Sequence, residues 1–134
     1  MSRVVGIDYG TKRVGVALSD ESRMIASPYR VIEAAAAIEM IEQIVAGEDI
    51  ELVVVGLPIG LAGNETSSTI GAREFAEELS ERLTVTVELA DERFTSKVAE
   101  DVLIEAGMTR ERRRQIRDKM AATVMLQSYL DSLR

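Results

Sequence analysis

Residues 52–55 read Leu-Val-Val-Val, an apolar run through which no polar residue alternates. A strand with one wet face alternates, whereas a strand with no wet face does not. The run predicts a central strand over Leu52–Gly56, buried on both sides. It commits the chain to a sheet with helices packed on each face. The flanking pattern agrees. Val4, Val5 and Ile7 form a β-branched run ending at Asp8. The Gly-containing turn Tyr9-Gly10-Thr11-Lys12-Arg13 follows, and Val14 to Leu18 makes a second strand ending at Ser19-Asp20. Pro28 to Glu33 predicts a third, antiparallel strand at an edge, where proline is tolerated.

Farther along, the period changes. Ala34 to Ala46 carries Ile38, Ile41, Ile44 and Val45 on one stripe, which predicts a helix closed by Gly47. Leu57 to Glu65 is a loop with Pro58, Gly60, Gly63 and Asn64. Thr66 to Leu83 is a second amphipathic helix, and Val85 to Leu89 another strand. Thr95 or Ser96 caps a helix running to about Ala106, Gly107 stops it, and a last helix runs from about Thr109 to near Leu133. The order ββ(β)αβαβαα, without repeats or linkers, predicts one α/β domain over residues 1–134. Its mixed five-stranded sheet has helices on both faces.

The residue types then narrow the chemistry. The chain has no Cys, His or Trp. Disulfides, thiolate nucleophiles, zinc fingers, Ser-His-Asp triads and imidazole acid–base chemistry are excluded. What remains is carboxylates, Lys, Arg, hydroxyls, or a divalent cation held by oxygen ligands, for which 23 Asp and Glu are available. Met1-Ser2-Arg3 leads straight into an apolar run containing an acid, which is no signal peptide. No stretch reaches the roughly 18–20 apolar residues of a membrane span. The expected location is the cytoplasm, with no membrane partner.

Net charge is -7, unevenly spread. Residues 1–109 hold 9 Lys/Arg against 20 Asp/Glu, whereas residues 110–119 hold six Lys/Arg against two acids. Taken as helix, Arg110, Arg113, Arg114 and Arg117 share one stripe. Arg forks suit phosphate, and such a run suits nucleic acid, although a basic run alone also describes a solvated face. Asp8 has two readings, a metal ligand at a strand end or a cap on the hairpin turn. Asp91 and Glu92 end a strand just before a helix, where open α/β sheets bind ligands. Strand alternation lets only one of the two face a site with Asp8. Asp118 shares its helical face with Ala121, Ala122 and Met125, an acid on a packing stripe. Three acids from separate elements beside a basic flank suit hydrolysis of a phosphodiester by two divalent cations.

Gly6-Ile7-Asp8-Tyr9-Gly10-Thr11-Lys12-Arg13-Val14-Gly15-Val16-Ala17 resembles the opening of the YqgF family. These are bacterial Holliday-junction-resolvase-like proteins regarded as nucleases of the small-subunit ribosomal RNA precursor. Val55-Gly56-Leu57-Pro58 with Gly63, then Asp91-Glu92-Arg93-Phe94-Thr95-Ser96, then Asp118-Lys119-Met120-Ala121-Ala122 with Leu126-Gln127-Ser128-Tyr129-Leu130, resemble its later blocks. The resemblance covers nearly the whole chain. It implies an RNase H-like fold and a nuclease dependent on Mg²⁺ or Mn²⁺, acting in 5′-end processing of pre-16S ribosomal RNA. Asp8, Glu92 and Asp118 would be the acidic, metal-holding triad, with Asp91 the alternative for the middle place. Lys12, Arg13, Arg93, Arg110, Arg113, Arg114 and Arg117 are the expected substrate contacts. Two departures stand out. Resolvase relatives take their middle carboxylate from the strand that here reads Val53-Val54-Val55-Gly56, and the usual hydrophobic pair after Asp118 is Lys119-Met120.

Three rival readings remain at this point. One is a junction-cleaving DNA endonuclease, and another is a non-catalytic RNA-binding assembly factor. The third is a nucleotide-binding half-cleft, since Asp8-Tyr9-Gly10-Thr11 also resembles the first phosphate loop of the actin and sugar-kinase group. Structured RNA is the expected partner ahead of DNA junctions, and monomer and homodimer both stay open.

Overall fold

The computed structural model describes residues 2–58, 65–91, 107 and 109–133, with residues 112–119 described by backbone alone. Strands β1 (Arg3–Asp8), β2 (Arg13–Ser19) and β3 (Ala26–Glu33) come first. A short 3-10 turn, Ala34–Ala36, leads into α1 (Ala37–Gly47). Then follow β4 (Ile50–Leu57), α2 (Ser67–Arg82), β5 (Thr86–Asp91) and α3 (Arg110–Ser132). The helix expected from Thr95 or Ser96 to Ala106 lies outside the described residues.

The five strands form one sheet in the order β3-β2-β1-β4-β5. β1 pairs antiparallel with β2 and parallel with β4, β2 pairs antiparallel with β3, and β4 pairs parallel with β5. The sheet is therefore mixed, as the order of elements implied. Its parallel half, β1, β4 and β5, ends at one edge. None of the described helices is long and apolar enough to cross a membrane.

Alternation along the strands sorts two cores onto the two faces. Val5, Ile7, Val53 and Val55 point one way, against Ile41 and Ile44 of α1 and Phe75 and Leu79 of α2. Val4, Ala17 and Val54 point the other way, against Ala122, Met125, Leu126 and Leu130 of α3. Val53, Val54 and Val55 are all fully buried, which is what their unbroken apolar run required. Each fully buried large aliphatic contributes about 1.5–3 kcal/mol. The contact between β1 and α3 is close. A Cβ placed on Gly6 would lie 2.8 Å from the Leu126 Cβ, so only glycine lets the helix sit this near the strand.

Several ends differ from the expected ones for identifiable reasons. β3 begins two residues early, because the Ala26 N–H donates to Gln127 Oε1 at 2.9 Å and Ser27 pairs with Leu18. β5 runs past Leu89 to Asp91, held by pairing of Gly56 with Ala90 and Leu57 with Asp91. Gly47 is the last residue of α1, and Glu48 turns straight into extended backbone at φ -114. The expected glycine cap is thus not of the left-handed kind. Gly107, at φ 73, does adopt that conformation. α2 opens with a reciprocal cap between Thr66 and Thr69.

Gln127 ties α3 to the β2–β3 connection. Besides accepting from Ala26, its Nε2 donates to the Met24 carbonyl at 2.9 Å and to Asp131 Oδ1 at 3.0 Å. Gln127→Ala leaves the partly buried Ala26 N–H without its acceptor, and is expected to cost about 1–2 kcal/mol in urea unfolding. On the other side of α3, the Tyr129 hydroxyl donates to Glu88 of β5. Burial first, and then the Glu88 carboxylate, push the phenol up to about 12.

The turn after β2 is organised by Asp20. Its carboxylate accepts from the Met24 and Ile25 amides at 2.9 and 3.0 Å and from the Ser22 hydroxyl, while Arg23 takes φ 59. The Ile25 amide most, then Ser22 and Met24, lower its pKa from 3.8 to about 2. A depressed carboxyl stabilises above its unfolded pKa and loses that contribution as pH falls through the folded one. The turn is therefore expected to hold at pH 4 and to loosen as pH falls to about 2. NMR titration of the Asp20 carboxyl checks this, and a midpoint near 4 would refute it.

Candidate functional site

The sheet's parallel edge is built outward from β1. Ile7 is buried among α1 and α2, and Tyr9 packs on the same face. Asp8, between them, is consequently turned to the α3 face, in line with Val4 and Gly6. It is half-buried. Its cross-strand partner is Gly15, so no side chain crowds the carboxylate from β2.

Beyond Asp8 the chain turns sharply. A Cβ on Gly10 would lie 2.5 Å from the Arg13 carbonyl oxygen, so the turn closes only around glycine. The Ala34 N–H donates to the Lys12 carbonyl at 2.9 Å and holds the turn against the end of β3. The result is a cleft of about 250 Å³ lined by Asp8, Gly10, Thr11, Lys12, Arg13, Gly15 and Val31. Asp8 thus shares one concavity with two cationic side chains, both exposed. Thr11 and Gly15, named in the sequence only as parts of the opening motif, complete it together with Val31. The hairpin turn alone implies the pairing of Asp8 with Gly15. Val31 comes from the third strand and left no such signal.

The other expected site residues fall in several places. Asp91 ends β5, two strands from β1 and therefore roughly 10 Å away across the sheet. Ala90 packs with the α3 core, so alternation sets the exposed Asp91 on the opposite face from Asp8. Glu92 and Arg93 lie outside the described residues. Arg110 opens α3 and is exposed. Positions 113, 114, 117 and 118 belong to the helical backbone of α3. Position 118 comes one turn before Ala121 and Ala122, both buried against the sheet. The helix that carries it packs across β1, β2 and β3. Among the described residues, no three acidic side chains gather closely enough to hold a metal.

The cleft can bind an anionic group beside a carboxylate, at the edge where parallel strands end and ligands bind in open α/β sheets. Solved structures share this scaffold. The chain superposes on Thermus thermophilus RuvC in complex with a Holliday junction substrate at a TM-score of 0.61, with 14% identity, covering 99% of this chain and 96% of that one. It superposes on the yeast mitochondrial Holliday junction resolvase Ydc2 at 0.51, with 13% identity, covering 96% and 78%. At such identities the likeness establishes the fold, which is RNase H-like.

Sequence relatives are nearer. A protein of Pelotomaculum thermopropionicum is 44% identical over 134 residues, covering 97% of this chain and 87% of its own length. One of Maridesulfovibrio salexigens is 39% identical over 131 residues, covering 96% and 97%. Both carry the name "Putative pre-16S rRNA nuclease". A family model described as "RuvX: Holliday junction resolvase" matches residues 2–132. With the match running from β1 through α3, the chain belongs to the RuvX family, known also as YqgF.

Proposed function

We propose that the protein hydrolyses phosphodiester bonds of the pre-16S ribosomal RNA at its 5′ end, as a nuclease dependent on Mg²⁺ or Mn²⁺. The observation that carries the chemistry is Asp8, a half-buried carboxylate facing Gly15 in a cleft walled by Lys12 and Arg13. The substrate rests on the name shared by relatives that match nearly the full chain.

The residues fit a hard cation. Asp8 is an oxygen donor with open space beside it, and the chain contains neither Cys nor His to favour a softer metal. Glu92 and Asp118 complete the proposed ligand set. Glu92 is preferred over Asp91 because Asp91 stands on the face away from Asp8. Divalent cations held there would supply Lewis-acid polarisation of a phosphate and a more acidic water. Lys12 and Arg13 hold the phosphate next to Asp8, and Arg93 with Arg110, Arg113, Arg114 and Arg117 tracks the flanking backbone of structured RNA. Replacing Arg113 and Arg114 together by Ala should lower the slope of log affinity against log salt by about 2. An unchanged slope in filter binding would return this run to being a solvated face.

The test is cleavage of a ribosomal RNA precursor and a DNA four-way junction side by side, each with Mg²⁺ and with Mn²⁺. RNA cleavage is expected. Cleavage of the junction alone would favour the activity in the family's description. Cleavage of neither, with salt-sensitive RNA binding retained, would make the protein an assembly factor on a nuclease fold.

A further inference from the structure

Gly71 stands in the interior of α2, where glycine is a poor helix former and alanine the best. Its neighbour accounts for it. A Cβ at Gly71 would lie 3.1 Å from Tyr9 Cε2, and the Tyr9 hydroxyl is 3.8 Å from the same point. One turn on, the Phe75 ring meets Tyr9 at 4.9 Å between centroids, tilted by 39°. Tyr9 is thus seated on α2 by a missing side chain and an aromatic one. It is also the residue next to Asp8.

The same stretch of α2 reaches the end of β4. Thr69 is fully buried, and its hydroxyl donates to the carbonyl of Pro58, the residue after β4. The beginning of α2 therefore holds the chain just past two adjacent parallel strands, from the face of the sheet opposite Asp8. With Ile7 and Tyr9 both anchored on that face, the backbone at Asp8 has little freedom to rotate.

We propose that the start of α2 is a positioning element for the candidate active site, in which Gly71 and Phe75 seat Tyr9 so that Asp8 is held towards the α3 face. Tyr9 and Gly71 act through Asp8 and are positioning residues, not catalytic ones. This rests on the nuclease reading given above.

Gly71→Ala is the informative variant, because it improves the helix while pressing on the Tyr9 ring. Its Tm should equal or exceed that of the wild type. Its Mn²⁺ affinity, read by calorimetry, and its kcat on precursor RNA should each fall about tenfold, the usual cost of disturbing what orients a metal ligand. Its KM for RNA should change less than its kcat, since the proposed backbone contacts on α3 are untouched and only those of Lys12 and Arg13 lie in the loosened turn. Amide exchange at Gly10 to Arg13 should quicken. In the otherwise wild-type chain, Tyr9→Phe, which keeps the ring, should retain near-wild-type affinity and kcat, whereas Tyr9→Leu should behave like Gly71→Ala.

Wild-type affinity, kcat and exchange in Gly71→Ala would overturn the proposal. So would losses that merely follow a fall in Tm. Should the wild type bind no Mn²⁺ and cleave nothing, the nuclease reading fails. Exchange then decides this inference separately, upheld by faster amides at an unchanged Tm and refuted by unchanged ones.

Discussion

Asp8→Asn is expected to abolish cleavage, by about 10³-fold or more, and to leave the fold intact. Asparagine keeps the size and one oxygen of the side chain but removes the charge that would draw a cation to the strand end. Asp8 is half-buried beside Gly15, so the substitution neither opens a cavity nor forces a clash. The urea midpoint should move little. The choice of Asn also separates the two readings of this residue. Asn caps turns as well as Asp does, so an aspartate that only closed the hairpin would be replaced without loss. A fully active Asp8→Asn protein would therefore sink the proposed mechanism and leave the turn-capping role standing.

Gly6→Val should be strongly destabilising, costing about 3 kcal/mol by urea denaturation. The Cβ alone would sit 2.8 Å from the Leu126 Cβ, and further methyls have nowhere to go between two packed elements. The relief available is to lift α3 from β1, which also removes Ala122 from its buried place. Cleavage should fall with stability, because position 118 lies on the displaced helix. Leu126→Ala perturbs the same contact from the other side, leaving a cavity worth about 2–5 kcal/mol. The pair Gly6→Ala with Leu126→Gly should cost less than the sum of the single changes, since removing the Leu126 Cβ relieves the contact that the added methyl makes. Strict additivity in that pair would mean that the strand and the Leu126 Cβ do not meet as described.

Most of this architecture was legible where side chains report their surroundings. Val53 to Val55 lacked alternation because both faces are covered. Ala121, Ala122 and Met125 marked the stripe of α3 that meets the sheet. Asp8 stood out as an acid closing an apolar strand. The features that escaped were fixed by backbone or by distant partners. β5 continues to Asp91 through pairing with Gly56 and Leu57, while its own side chains are largely exposed and carry no periodic signal. The first residues of β3 depend on Gln127, which the sequence places far away. Gly47 looked like a left-handed cap by position, yet the chain leaves α1 extended at Glu48. In the site, Lys12 and Arg13 follow Asp8 in sequence, but that they share its cleft depends on the tight closure at Gly10.

Among the described residues, one helix, α3, covers one face of the sheet, and its place late in the chain bears on how the protein is made. Val4, Ala17 and Val54 are covered by residues 122–130 of α3, and Gly6 meets Leu126 from the far part of the chain. Contacts between residues so distant in sequence form late, after loop closure has cost its entropy. A growing chain on the ribosome therefore carries Val4, Ala17 and Val54 before the α3 residues that cover them have been made. Those residues stay open to chaperones, or to another nascent chain, until α3 emerges and docks. Position 118 lies on the same helix, so the docking that covers the sheet also fixes the backbone that carries the third proposed acid. A chain stopped short of α3 would leave Val4, Ala17 and Val54 without the helix that buries them.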